Sequence, residues 1–219
     1  MGRRAKPPTS FERPGRKNSF LFTRDRRQVS ELSRAREAAQ NSETPAAMVG
    51  SAAQVQAVLD MSNLTAFEQL LGGLTSVDNS ARTQYEALFN ECKKQGDVLC
   101  LQLVKALRTS AQVETREMAA ILLRRVLTKD EVSLWANLQA QTQAGIKSEL
   151  LKSLHEEQNK RIAGKVGDTV SELAAGVYEE GWPELLPFLF QCVTTGSDAL
   201  KVTALNVFGE LAAYIGDSL

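Results

Sequence analysis

Catalytic or metal chemistry in this 219-residue chain would have to be built from few groups: one histidine, His155, and three cysteines, Cys92, Cys100 and Cys192. To these it adds two adjacent carboxylate pairs, Glu156-Glu157 and Glu179-Glu180. A lone histidine supports neither a histidine pair nor a His-based metal site, and its place at a helix end reads as a dipole contact or plain solvation. The cysteines are odd in number, form no CxxC and sit among apolar helical positions. They read as reduced, buried thiols of a cytosolic or nuclear protein. Gly72-Gly73 is followed by no Gly-Lys-Ser or Gly-Lys-Thr, so no phosphate loop is present. The carboxylate pairs fall at helix ends and read as solvated. No constellation for catalysis, metal or cofactor remains; the sequence reads as a non-enzyme whose chemistry is charge displayed on helices.

The stretch Arg116-Glu-Met-Ala-Ala-Ile-Leu-Leu-Arg-Arg-Val-Leu127 shows that display best. It is rich in helix formers, without Gly or Pro, and its apolar residues recur at helical spacing. Ala119, Leu122, Leu123, Val126 and Leu127 form the face to be buried, and Glu114, Glu117, Arg124, Arg125 and Thr128 the opposite one. Arg116 projects toward the buried side and needs partners from the next helix. So broad an apolar stripe requires stacked neighbours, and the chain supplies them. An apolar run from Phe67 to Leu74 precedes a cap at Asp78-Asn79-Ser80 and a second helix over 80–95. Asp97 caps a third, through Leu99, Leu101, Leu103, Val104 and Leu107. A fifth covers 139–156 and a sixth 159–178. Trp182-Pro183 opens a seventh, since Pro suits a first turn. Asp198 caps an eighth, carrying Leu200, Ala204, Val207, Phe208, Leu211 and Ile215. Repeat starts near 65, 97, 138 and 183 match the HEAT-type period of about 40–47 residues, the first spacing being short. The expected fold is all-α: a solenoid of about four helix pairs over 62–219.

Residues 1–60 are expected to stay apart from it as a disordered basic leader. Residues 1–50 hold 11 Lys or Arg and 5 Asp or Glu (+6); residues 51–219 hold 15 and 21 (−6), so the zero net charge conceals opposite halves. Three prolines before residue 15 and few aliphatics keep the leader unfolded, while 30–40 and 52–60 permit only marginal helices. Its acids disfavour a mitochondrial transit peptide. Its cationic runs are too sparse for a nuclear-localisation or nucleic-acid patch. It reads as an extension ahead of a start at Met48 or Met61. No apolar run approaches the ~18 residues of a membrane span, so neither nucleic acid nor membrane is an expected partner; the acidic array favours basic ones.

Arg116–Leu127, the run Ile146-Lys-Ser-Glu-Leu-Leu151 and Trp182-Pro-Glu-Leu-Leu-Pro-Phe-Leu-Phe190 together resemble the amino-terminal HEAT repeats of the importin-β superfamily. The likeness is strongest to the importin five (Ran-binding protein five) group. Phe67–Gly72, Ser76–Asn79, Lys165–Asp168 and Glu172–Ala174 extend it over roughly 62–219. The resemblance implies a transport receptor of cytoplasm and nucleus, with about twenty repeats where four stand here: a fragment, a truncated product or a partial gene model. It implies that these repeats bind Ran in its GTP state on a concave surface lined by the second helix of each pair. It also implies basic cargo released when the GTP form competes, with cargo and nucleoporin sites largely in further repeats. A HEAT scaffold that bridges proteins without Ran is the alternative.

Helical phase supplies the residues for that surface. Pair one turns out Thr83, Glu86, Asn90 and Lys94, leaving Tyr85, Leu88, Phe89 and Cys92 inside. Pair two turns out Glu117, Arg124 and Arg125; pair three Asp168, Ser171 and Glu172; pair four Asn206 and Glu210. Arg124 and Arg125 either meet the partner or reach carboxylates of a neighbouring repeat such as Asp168 or Glu172. Leu211 and Ile215 are expected to be exposed at the last pair, where no further repeat covers them.

Overall fold

The computed structural model describes residues 51–129, 133–177 and 181–216, with the side chains of the last helix described to residue 212. Helices form wherever the apolar period of the sequence runs, and no strand occurs among the described residues. A short α1 (Ala52–Val58) leads into four pairs: α2 (Thr65–Gly73) with α3 (Asn79–Cys92), α4 (Gly96–Thr109) with α5 (Val113–Arg124), α6 (Ala140–Glu156) with α7 (Lys160–Gly176), and α8 (Leu185–Thr195) with α9 (Asp198–Gly216). The first helices pack in one layer, α2 on α4, α4 on α6 and α6 on α8. The second helices pack in another, α5 on α7 and α7 on α9. Pair one departs from this order, because α2 packs across to α5 while α3 leans on α2 and α1.

The core is the continuous stripe between the layers. Phe67, Leu70, Leu99, Leu103, Leu123, Leu127, Ile146, Leu150, Ile162 and Leu173 are essentially inaccessible, and such apolar burial is the main driving force for stacking the pairs. The five residues assigned to the inner face of α5 are all buried. Leu101, one of the apolar residues of α4, is exposed. It stands on the side of α4 opposite the buried Leu99, Leu103 and Leu107, as helical phase requires. The array also begins earlier than residue 62. Ser51 caps α1 by accepting from the Gln54 N–H at 3.2 Å, and Val55, Val58 and Leu59 join the core. The rest of the expected leader, 1–50, lies outside the described residues.

Caps set the helix starts. Asp78 accepts from Ser80 N–H at 2.9 Å, and Asn159 accepts from Arg161 and Ile162 N–H at 3.0 and 3.4 Å. Two caps differ from expectation. Asp97 lies inside the first turn of α4, and its carboxylate accepts from Gln139 N–H at 2.9 Å, tying pair two to the start of pair three. Ser197, one residue before Asp198, accepts from Leu200 N–H at 3.3 Å and is the cap of α9. Gly73 is required by packing: a Cβ there would lie 2.1 Å from the Tyr85 ring, which closes α3 onto α2.

Candidate partner-binding face

The second-helix layer holds the residues singled out for a partner, and most of them are engaged with each other. Glu117 of α5 accepts from Arg161 of α7 at 2.8 Å. Arg124 reaches Asp168 at 2.9 Å and Glu172 at 3.6 Å. Thr128 donates to Glu172 at 3.0 Å, and Lys129 pairs with the same carboxylate at 3.1 Å. Lys165 completes the row at 3.9 Å from Asp168. Arg124 thus links repeats two and three through Asp168 and Glu172, the neighbouring-repeat carboxylates named for it. Arg125 is exposed.

Three of these links join residues 44 apart: Glu117 to Arg161, Arg124 to Asp168 and Thr128 to Glu172. That offset is the repeat period, so equivalent positions of successive second helices meet side by side. A search for opposite charges one period apart would have found Arg161, 44 residues after Glu117, which reasoning one helix at a time passed over.

The end of α5 is shaped for this convergence. It continues as a π turn, Arg125–Lys129, in which i→i+5 bonding widens the helix by a residue. Lys129 thereby joins Arg124 and Thr128 over Glu172. The carbonyls at the helix end find donors in the next loop: Leu134 N–H donates to Val126 O at 2.9 Å, and the Ser133 hydroxyl donates to Leu127 O.

Elsewhere on the layer the assignments divide. Asn90 is exposed on α3, and Thr83 is exposed with its hydroxyl donating back to Asn79 O at 2.9 Å. Glu86 pairs with Arg82 at 3.7 Å. Lys94 sits beyond α3, in the 3-10 turn Lys93–Gln95, 2.6 Å from Glu91. Ser171 was expected outside and is fully buried; its hydroxyl bonds Gly167 O at 3.1 Å and the Glu210 carboxylate. It is buried because α7 and α9 approach closely at Gly167, where a Cβ would touch Val207 at 3.4 Å. Asn206 is exposed on α9, as is Glu210 apart from its bond to Ser171.

Of the groups read as solvated, Glu157 is partly buried and structural, while His155 and Glu156 remain exposed. Glu157 is 11% exposed and accepts from Arg116 Nε at 3.3 Å, which supplies the partner Arg116 needed. Glu156 pairs with Arg108 at 2.8 Å. Glu179-Glu180 lies outside the described residues. His155 meets Phe188 edge-on, ring centroids 6.4 Å apart, beside a 690 Å³ groove between α6 and α8. All three cysteines are free and buried. Desolvation, aided by Asp97, pushes the Cys100 thiol up to about 12, and desolvation with Glu91 nearby pushes Cys92 up to about 11. Desolvation also raises Cys192. Among the described residues no group of His, Cys, Asp or Glu is arranged to hold a metal, and no helix is long and apolar enough to cross a membrane.

At the last pair, Leu211 is buried against expectation, because its phase matches Leu200, Ala204 and Val207; the Ile215 side chain lies outside the described set. Leu186, Phe190, Val202 and Leu205 are the exposed apolar residues there.

With this geometry in hand, likeness to known proteins is informative. A stack of paired helices with inter-repeat ladders defines an α-solenoid of the HEAT class. Residues 158–219 match the family model described as "IPO5-like, TPR repeats". A probable importin-5 homolog of Dictyostelium discoideum is 28% identical over 159 residues, covering 71% of this chain and 15% of that protein. Among solved structures, Kap121p aligns with a TM-score of 0.58 and 23% identity, over 69% of this chain and 14% of its own. Kap121p bound to RanGTP aligns with 0.59 and 22%, over 75% of this chain and 15% of its own. The family model and the curated relative are both of importin-5 type, and the solved structures share the paired-helix fold. The chain spans about 15% of the length of the curated relative it matches.

Proposed function

We propose that this array is the part of a nuclear transport receptor that binds a Ran-type GTPase in its GTP state, through the second-helix layer. The observation that carries this reading is the likeness, over 75% of the chain, to Kap121p bound to RanGTP. In such a receptor basic cargo loads in the cytoplasm and is released in the nucleus when the GTP form competes for the array. That is coupling between two binding events and involves no catalysis. Further repeats would supply the sites for cargo and nucleoporins. The row from Thr83 and Asn90 on α3 through Arg125 on α5 to Asn206 on α9 is the exposed part of the proposed contact. Glu117, Arg124, Asp168 and Glu172 set the spacing between α5 and α7 beneath it.

A pull-down of the full chain with GTP-loaded and GDP-loaded Ran tests this. Retention of the GTP form by at least about tenfold, or about 1.4 kcal/mol, is expected. Equal retention would make the array a scaffold without a nucleotide-sensing role.

A further inference from the structure

The ion pairs between α5 and α7 are unequal in depth. Glu117 is 18% exposed while its partner Arg161 is 78% exposed. Glu172 is 16% exposed while Lys129 above it is 55% exposed. Asp168 is shared between Arg124 and Lys165, and Arg125 stands exposed beside them. Glu114 is the exposed acid of the same helix, one turn before Glu117. Glu117 and Glu172 are sunk in the seam while Arg161 and Lys129 rise from it; Arg124 lies deeper than Asp168 and closes the seam between them. Coulomb interaction falls with distance and with the dielectric between the charges, so a group approaching from solvent meets the cations first. From Arg161 to Glu172 the row runs about 16 Å at 1.5 Å per residue. Its sign is opposite to that of residues 51–219 as a whole, where 15 basic residues face 21 acidic ones.

We propose that the α5–α7 seam is a docking surface for an acidic protein segment, whose carboxylates pair with Arg125, Lys129, Arg161 and Lys165. The seam carboxylates hold Lys129, Arg161 and Lys165 in place before the partner arrives, which lowers the side-chain entropy lost on binding. They also leave each cation with one side open. The row follows the helix side by side with its neighbour, and an extended or helical acidic segment of a folded partner fits along it. This deepens the reading of the second-helix layer as the partner face, and rests on it.

The test uses the full chain and a fluorescent oligoglutamate peptide, followed by anisotropy. Binding is expected, weakening steeply as salt shortens the Debye length from about 14 to about 6 Å. The variant Lys129→Gln/Arg161→Gln/Lys165→Gln is expected to lose about tenfold in affinity, and Lys152→Gln, on the first-helix layer away from the seam, to lose less than about twofold. Carbodiimide coupling of the peptide to the unaltered chain gives a second readout that needs no variant, with products expected at Lys129 and Lys165. The proposal is overturned by absence of binding, by equal affinity of the seam variant, by coupling only at other lysines, or by tighter binding of oligothymidylate than of the peptide. Failure of the two readings separates cleanly. Peptide bound at the seam without GTP preference keeps this inference and removes the Ran-type partner; GTP preference without peptide binding does the reverse.

Discussion

Changing Arg116 to methionine probes whether polar links between repeats hold the stack. The guanidinium donates to Glu157 at 3.3 and 3.4 Å and to Ser110 O at 3.2 Å. Ser110 in turn donates to Glu68 at 2.6 Å, so one network crosses pairs one, two and three. Arg116 and Glu157 are 20% and 11% exposed. Breaking a fully buried pair costs about 3–5 kcal/mol, and an exposed pair contributes about 0.2–1 kcal/mol. The distances lie at the long end for charged hydrogen bonds, and Glu157 keeps the Asn159 N–H at 2.8 Å. The expected cost of Arg116→Met is therefore about 2–3 kcal/mol. At about 2–4 °C per kcal/mol for a domain of this size, the thermal midpoint should fall by about 4–12 °C. Adding Glu157→Leu removes the stranded charge and should restore about 1 kcal/mol. Calorimetry on the two variants checks both numbers. A single change costing under about 0.5 kcal/mol, or a double change worse than the single, would refute the view that this link bears on the stack.

Two further outcomes follow from packing and titration. Gly73→Leu should destabilise by about 1–3 kcal/mol by displacing the Tyr85 ring, read as a lower urea midpoint with unchanged slope. The thiols of Cys92 and Cys100, raised to about 11 and 12 from an ordinary 9.0, stay protonated in the fold above the pH at which they ionise when unfolded. Their contribution is full below pH 9 and is lost as pH rises through the folded values. Stability should thus decline less steeply above pH 9 in Cys92→Ala/Cys100→Ala than in the parent, and native thiols should resist alkylation at neutral pH.

The sequence is a good guide to the stack and a poorer one to its seams. Leu123, Val126, Ile146, Leu150, Val166 and Leu173 announce their burial because helical phase alone decides which side they face. Ser171 departs from its outward assignment because α7 and α9 approach closely at Gly167. The α1 helix falls in the 52–60 segment read as marginally helical, since seven residues carry little intrinsic helical signal; packing of Val55 and Val58 makes it firm. The role of Arg124 depends on which residue stands one repeat further on. That information is present in the sequence as a 44-residue offset but is invisible to any argument confined to one helix.

Cross-linking from single positions asks most directly whether the second-helix layer takes a Ran-type GTPase in its GTP state. A photo-reactive side chain is placed at Asn90 on α3, at Arg125 or Asn206 on that layer, or at Lys152 on the first-helix layer, all exposed positions. Cross-links to the GTP-loaded GTPase from the first three, with little from Lys152 or with GDP, are the expected result. Cross-links from Lys152 alone, or equally in both nucleotide states, would contradict it.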